Sequence, residues 1–223
     1  MVRDRSKYYG INQPTKVCPY HINVKQLMIF SAIMLTCLTV FANERQFTYN
    51  VTFGGNKIGE LHLTQKFVGS DVFLKMKSDV QARFVFAYNI KTNDHCYFSN
   101  GKLIYSNVYR SVNNKERDNK RTRLANDHYV LESPTVNSRL KLPIRYNMML
   151  LYCQEPVNIW KVYSDSFQQF LAIRKIGDHH YKINLPDGNS AEYHFADGIC
   201  QRVIIQQSLY TIRMTLSNLL QPN

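Results

Sequence analysis

Apolar and polar side chains alternate along most of the chain after residue 45. Between residues 47 and 53 every odd-numbered position is apolar and every even-numbered position is polar, and Gly54-Gly55 follows. A period of two is typical of a β-strand with one buried face, and a Gly-rich turn joins two such strands. The pattern therefore predicts an antiparallel hairpin whose return strand carries Leu61, Leu63 and Phe67 on one face.

A longer apolar face extends from Val72 to Ile90, where most even-numbered positions are apolar and most odd-numbered positions are polar. At roughly 3.3 Å per residue, one strand of this length would measure about 60 Å, which exceeds the usual length of a strand. We expect the strand to bend or break near 78–82 while it keeps its apolar face. Such a strand is typical of a curved sheet or an incomplete barrel.

Two further turns predict hairpins with a defined register. Asn100-Gly101 suits the type I′ turn, and it predicts that Phe98 lies opposite Leu103. Further predicted hairpins follow one after another as far as residue 132.

The turn Pro186-Asp187-Gly188 predicts a second register, in which Ile183 lies opposite Glu192. In that register His179 lies diagonal to His194 on one face. Two histidines so placed are candidate metal ligands, but no third ligand lies within reach. We therefore expect no metal and no other cofactor.

Residues 144–153 interrupt the alternation. Ile144, Met148, Leu151 and Tyr152 fall on one helical stripe, and Pro156 would end a helix there. We predict one short inserted helix in a mainly β fold, which is either a curved antiparallel meander sheet or an incomplete β-barrel.

The first 42 residues differ in kind from the rest. Five basic residues precede Leu27 to Ala42, a run of 16 residues without a charged side chain. A spanning helix needs about 20 apolar residues, whereas a signal peptide has a shorter run that ends at small residues. We predict export to the periplasm or cell envelope, cleavage after Ala42, and a single β domain over 43–223. Lipid attachment at Cys37 is an alternative, although Met34-Leu35-Thr36 lacks the usual small residue before the cysteine.

Charge and cysteine content limit the partners. The leader holds five Lys/Arg and one Asp, so the remaining domain has 23 basic and 15 acidic residues and a net charge of +8. This charge favours anionic partners such as an envelope surface, and in an exported protein we expect no nucleic acid. Cys96, Cys153 and Cys200 allow at most one disulfide, so the framework does not depend on disulfides.

Several ordered motifs resemble a family of bacterial cell-envelope proteins that is known only as a domain of unknown function. The motifs are Asn100-Gly101-Lys102-Leu103, Arg110-Ser111-Val112-Asn113, Pro143-Ile144-x-Tyr146, Leu151-Tyr152-x-x-Glu155-Pro156, Val162-Tyr163-Ser164 and Tyr181-x-x-x-Leu185-Pro186-Asp187-Gly188-Asn189. The resemblance covers most of residues 45–216. It implies a curved antiparallel sheet with an inserted helix, in the style of lipoprotein carriers, and it implies no activity.

The usual sequence motifs of hydrolases and nucleotide-binding enzymes are absent, so an enzyme is the less favoured interpretation. Glu155 and Asp187 form one enzymatic hypothesis, an envelope hydrolase in which they act as acid and base in a common pocket. The simpler interpretation is that Glu155 supports the end of the helix and Asp187 forms its turn.

A basic segment over 115–123 is a candidate contact for anionic headgroups. A solvated hairpin or a charged, protected sheet edge explains it equally simply. Its cationic residues are Lys115, Arg117, Lys120, Arg121 and Arg123.

The apolar face supports our preferred hypothesis, an exported protein that binds a lipid-like or other hydrophobic ligand in a half-barrel. The predicted pocket residues are Phe84, Phe86, Tyr88, Ile90, Met148, Leu151 and Tyr152. A structural or protein-interaction domain with a filled core is the main alternative. Oligomeric state is not specified by any of these patterns.

Overall fold

Antiparallel hairpins account for most of the chain. A computed structural model describes residues 43–83, 87–135 and 137–221. The leader with Cys37 and the pocket candidates Phe84 and Phe86 lie outside the described residues. The described residues form fourteen strands: β1 Asn43–Phe53, β2 Asn56–Val68, β3 Asp71–Arg83, β4 Ala87–Ser99, β5 Lys102–Val112, β6 Lys115–Ala125, β7 His128–Glu132, β8 Asn137–Leu140, β9 Lys161–Ser164, β10 Gln169–Gly177, β11 His180–Asn184, β12 Ser190–Ala196, β13 Ile199–Gln206 and β14 Thr211–Leu220.

All fourteen strands belong to one sheet. Its order is β8-β7-β6-β5-β4-β3-β2-β1-β14-β13-β12-β11-β10-β9. Within β1–β8, and again within β9–β14, each strand pairs with the next strand in sequence, and β1 also pairs with β14. Strands β8 and β9 lie at opposite edges and do not pair with each other, so backbone pairing leaves the sheet open. The mainly β, antiparallel meander is confirmed.

The apolar face of Val72 to Ile90 is divided between β3 and β4. β3 ends at Arg83 and β4 begins at Ala87, so β3 continues without a break through 78–82, where a bend or break was expected. The two strands pair so that Val80 lies opposite Ile90 and Leu74 lies opposite Cys96. Because even-numbered residues pair with even-numbered residues, both strands keep their apolar positions on one face of the sheet.

The register predicted from Asn100-Gly101 holds only next to the turn, because a bulge between Tyr97 and Phe98 places Tyr97 opposite Tyr105 instead of the predicted Ile104. Phe98 lies opposite Leu103, as predicted from Asn100-Gly101. The predicted register of the β11–β12 hairpin is wrong by one residue, because Lys182 and not Ile183 lies opposite Glu192. The turn holds five residues, closed by a hydrogen bond from the Leu185 N–H to the Asn189 carbonyl oxygen (2.8 Å). The prediction assumed a two-residue loop. Because the observed turn has an odd number of residues, each side chain of β12 lies on the opposite face, relative to β11, from the one predicted.

The predicted helix over 144–153 is wrong. Within the described residues the only helical element is a 3-10 turn at Leu150–Tyr152. The neighbouring backbone groups bond to the sheet instead: the Met148 N–H donates to the Tyr163 carbonyl oxygen, and the Tyr163 N–H donates to that of Tyr146, both at 2.9 Å. Tertiary pairing thus outweighs the local helical pattern.

Residues 141–160, which we call the connecting segment, join the two edge strands and fill the concave side of the sheet. Ile144 and Leu151 are completely buried. The Tyr49 hydroxyl lies 2.8 Å from the carbonyl oxygen of Tyr152 and 2.9 Å from that of Cys200, so it links this segment to β1 and β13. The core therefore lies between the sheet and the connecting segment.

The three described cysteines, Cys96, Cys153 and Cys200, are buried and free. Burial raises the pKa of Cys153 and of Cys200 to about 12. Both thiols therefore stay protonated and pack as small apolar side chains.

None of the helical structure in the described ranges has the length and apolar character that crossing a membrane requires.

Candidate functional site

A cleft of about 410 Å³ opens on the concave side, between the inner faces of strands β2–β6, the connecting segment and strands β12–β14. Several of its lining residues, among them Leu61, Tyr152 and Tyr193, also belong to the hydrophobic core. Its apolar lining consists of Leu61, Met76, Val108, Met148, Met149, Tyr152, Phe167, Leu185, Ala191, Tyr193, Ile205 and Met214. All four methionines within the described residues are in this set.

A larger and more open depression, of about 650 Å³, lies elsewhere along β2–β5. Its lining includes the exposed charged residues Lys57, Lys77, Asp79 and Lys91, and Lys91 and Asp79 form an ion pair at 3.5 Å. Water solvates such a surface, so it provides little enclosure for a ligand. The smaller, more enclosed inner cleft is the better candidate site.

Asp94 places a carboxyl group on the apolar face of β4, inside the cleft. Its side chain is nearly buried, and its Oδ1 accepts a hydrogen bond from the Tyr109 backbone N–H at 3.0 Å. Burial raises the pKa of Asp94 from its ordinary value of 3.8 to about 7, and the hydrogen bond from Tyr109 offsets only part of this. Asp94 is therefore partly protonated near neutral pH.

Asp165 is the second buried carboxyl group of the cleft. Its Oδ2 accepts a hydrogen bond from the Asn147 side-chain amide at 2.9 Å, while Oδ1 lacks a partner of hydrogen-bond geometry among the described residues. Burial raises the pKa of Asp165 to about 6, and the side chains of Ser106 and Asn147 offset only part of this rise. A buried carboxylate oxygen without a donor is costly, which favours a ligand donor or a water molecule at this point.

Two cationic side chains also line the cleft. Arg110 and Lys120 contribute to its lining, and Lys120 forms an ion pair with Asp118 at 3.4 Å. Lys120 also donates to the carbonyl oxygen of Ser166, in the turn between β9 and β10. The cleft thus has an apolar wall, and its polar lining includes both acidic and basic side chains.

The cationic side chains of the basic segment are divided between the two faces of β6. Lys120 points into the cleft, whereas Lys115, Arg117, Arg121 and Arg123 are exposed. Arg123 lies 3.9 Å from Glu132. The strand alternation of β6 explains the division, because successive side chains point to opposite faces.

The predicted pocket residues are divided between cleft and core. Met148 and Tyr152 line the cleft. Leu151 is completely buried in the core, whereas Ile90 is half-buried and Tyr88 is exposed, and neither of these two lines the cleft.

The carboxyl groups of Asp94 and Asp165 were not identified from the sequence as site residues. One signal was available for Asp94, since it is a charged residue at an even-numbered position of an otherwise apolar face. Asp165 carries no such signal, because it follows a short strand whose end was not predictable.

The structure argues against the pairing of Glu155 with Asp187. Glu155 accepts a hydrogen bond from the Tyr181 hydroxyl at 2.8 Å and contacts the His179 ring at 3.0 Å, at the start of β11. Asp187 lies in the turn beyond the other end of β11, where it is exposed and accepts from the Asn189 N–H at 3.1 Å. The two carboxylates therefore lie at opposite ends of a strand and share no cleft.

Comparison with known proteins places the chain among related sequences. The family model described as "Domain of unknown function (DUF6134)" matches residues 49–217. The chain belongs to this family. The predicted membership of an uncharacterised family is thus confirmed, and no curated protein matches significantly.

Among solved structures, the crystal structure of a beta-barrel-like protein of domain of unknown function DUF1849 from Brucella abortus is similar. The TM-score is 0.55 at 10% sequence identity, over 82% of this chain and 100% of that chain. At this identity the likeness shows the fold alone, which is mainly β and barrel-like.

Proposed function

We propose that the domain binds a lipid-like amphiphile, without catalysis, in the inner cleft. The observation that carries this proposal is the enclosed apolar wall built by Met76, Met148, Met149 and Met214 beside two buried carboxyl groups. Methionine side chains are flexible and polarisable, so they adapt to an apolar chain of variable shape.

The size of the cleft supports the proposal. Ligand sites range over about 300–1,000 Å³, and the cleft of about 410 Å³ falls within this range. Tyr152 and Tyr193 add aromatic surface to the wall. These dimensions suit a single acyl-like chain better than a bulky ligand.

The polar side of the cleft would hold a headgroup. Asp165 Oδ1 offers an unpaired acceptor, and Lys120 and Arg110 offer donors. A hydroxyl or amine of the ligand would satisfy the buried carboxylate, while an anionic group would contact the two cations. Asp94, Asp165, Lys120 and Arg110 are therefore the orienting residues in this proposal.

A filled-core interaction domain is the second candidate. It is favoured by the connecting segment, which already occupies most of the concave side with completely buried side chains such as Ile144 and Leu151. In that case the remaining cleft would hold water, and the exposed cations Arg117 and Arg121 would contact a partner or an anionic envelope surface.

Export to the periplasm or envelope is part of the same proposal. Cleavage after Ala42 would leave every described strand in place, because β1 begins at Asn43. The protein recovered from the envelope fraction should then have the intact mass of a chain that starts at Asn43.

Native mass spectrometry and dye displacement test the binding proposal. We expect the purified full chain to carry copurified lipid and, after delipidation, to bind a fluorescent fatty acid that palmitate displaces. Met148→Trp would fill the cleft and should weaken binding at least tenfold. Leu142→Trp, at an exposed position of the same segment, should change it less than twofold.

Thermal midpoints of both variants would show that they remain folded. Equal binding by Met148→Trp and the unmodified protein would contradict the cleft as the site. Absence of copurified lipid together with absence of dye binding would favour the filled-core alternative.

A further inference from the structure

The outer face of the β11–β12 hairpin brings two histidines and a glutamate together. His180 lies directly opposite His194, and Glu192 is two residues from His194 on the same strand. These residues alternate with the buried Tyr181 and Tyr193, so all three side chains lie on the face that is opposite to the core.

The ligand atoms of the three side chains are close enough for a common ion. One atom from each lies within 4.8 Å of the others. A tetrahedral zinc ion with bonds of about 2.0–2.1 Å needs its ligand atoms roughly 3.3–3.4 Å apart. Shifts of about 1 Å would therefore suffice.

The two imidazole rings now stack, with centroids 3.8 Å apart and an angle of 23° between their planes. Rotation about χ2 would point one nitrogen of each ring at a shared ion. Such rotation meets little resistance, because the χ2 wells of histidine are broad.

Hydrogen bonding leaves acceptors available at this cluster. His194 Nε2 is buried and lacks a hydrogen-bond partner among the described residues.

Hydrogen bonds orient Glu192. Its Oε1 accepts a hydrogen bond from Lys182 Nζ at 2.9 Å, and its Oε2 lies 3.3 Å from His180 Nε2. Lys182 therefore fixes one oxygen and leaves the other for an ion, in the manner of the partners that orient metal ligands.

The geometry points to a zinc site formed by His180, Glu192 and His194, with a fourth position for water. Two imidazoles and one carboxylate suit zinc and similar first-row divalent ions and disfavour magnesium and calcium, which prefer oxygen ligands. Lys182 and Arg202 also face this cluster and repel a cation, so the negative charge of Glu192 is required for binding. The site is on the opposite face of the sheet from the cleft and does not depend on the proposed function.

Titration of the metal-free full chain with zinc, in competition with a chromogenic chelator, tests the site. We expect one saturable zinc ion per chain, unaffected by millimolar magnesium. His194→Ala and Glu192→Gln should each weaken binding at least tenfold. His95→Ala is the matched control, since His95 is another histidine in the sheet that pairs with a lysine, Lys75, and it should leave binding within twofold.

A second measurement guards against loss of folding. Zinc should raise the thermal midpoint of the unmodified protein and of His95→Ala but not that of Glu192→Gln, whose shape is preserved. Absence of saturable zinc binding by the unmodified chain would overturn the proposal. So would a zinc affinity of Glu192→Gln and His194→Ala equal to that of the unmodified chain.

Discussion

Asp94 shows how one residue departs from its surroundings. It occupies an apolar row of β4 with Cys96 and Phe98, yet it carries a carboxyl group. Burial raises its pKa to about 7, and the hydrogen bond from Tyr109 lowers it less. A residue that costs stability in its ionised form and lines a cleft is a candidate for function and not for folding.

The raised pKa of Asp94 predicts a pH dependence of stability. The folded protein binds this proton between about pH 4 and pH 7, where the unfolded chain has released it, so the stabilising contribution is complete below about pH 4 and is lost as the pH rises through 7. Asp94→Asn keeps an acceptor for Tyr109 and cannot ionise. Its free energy of unfolding, relative to the unmodified protein, should therefore rise by about 2–4 kcal/mol between pH 4 and pH 8.

Urea unfolding at pH 4, 6 and 8 would measure this difference. Asp79→Asn, at an exposed position of β3, is the control and should change it by less than about 0.5 kcal/mol. If Asp94→Asn had the same pH profile as the unmodified protein, the carboxyl group would not be buried as described.

At the scale of elements, the hairpins were predictable wherever a turn carries its own sequence signal. Asn100-Gly101 specified both the turn and the pairing of Phe98 with Leu103. The β11–β12 turn did not, because an Asp-Gly pair fits a two-residue loop as well as the observed five-residue turn. That single-residue error placed His179 instead of His180 beside His194, and so removed Glu192 from the predicted metal ligands.

The connecting segment could not be predicted from its periodicity. Its helical stripe exists in the sequence, but Tyr146 and Met148 exchange backbone hydrogen bonds with Tyr163 on β9. Such pairing joins residues that only the completed sheet brings together. This segment forms part of the cleft, so the position of Asp165 in the cleft could not be predicted from the sequence either.

Gly59 supports a prediction about the packing of elements. It lies in β2 between Val51 of β1 and Val80 of β3, and a Cβ atom there would lie 2.2 Å from the Asp79 carbonyl oxygen. Gly59→Ala must therefore displace the β3 backbone and should destabilise the protein by about 1–3 kcal/mol.

Gly177→Ala in β10 is the matched control. A Cβ atom at Gly177 would lie 3.5 Å or more from its nearest neighbours, so the substitution should be neutral or slightly stabilising. Chemical denaturation of both variants would measure the effect. Similar stabilities would indicate that β2 and β3 are further apart at this point than described.

At the scale of the whole molecule, side chains join the two ends of a sheet that backbone pairing leaves open. The Gln168 side-chain amide donates to the carbonyl oxygens of Arg121 at 2.9 Å and Glu132 at 3.1 Å. Tyr163 and Thr122 share a hydrogen bond of 2.9 Å between their hydroxyls nearby. These contacts hold the β9–β10 hairpin against β6 and β7.

Gln168→Met tests this closure, because it keeps the length of the side chain and removes its donors. Two carbonyl oxygens lose their partner, and the free energy of unfolding should fall by about 1–2 kcal/mol. Amide hydrogen exchange should increase in β9 and β10 and stay unchanged in β3 and β4, since only the β9–β10 hairpin is released from β6 and β7. Gln169→Met, at the exposed neighbouring position, should leave exchange unaltered. An equal increase throughout the sheet would mean that the β9–β10 hairpin does not open separately. An unchanged profile would mean that Gln168 does not hold this hairpin. Either result would contradict a side-chain link between the two ends of the open sheet.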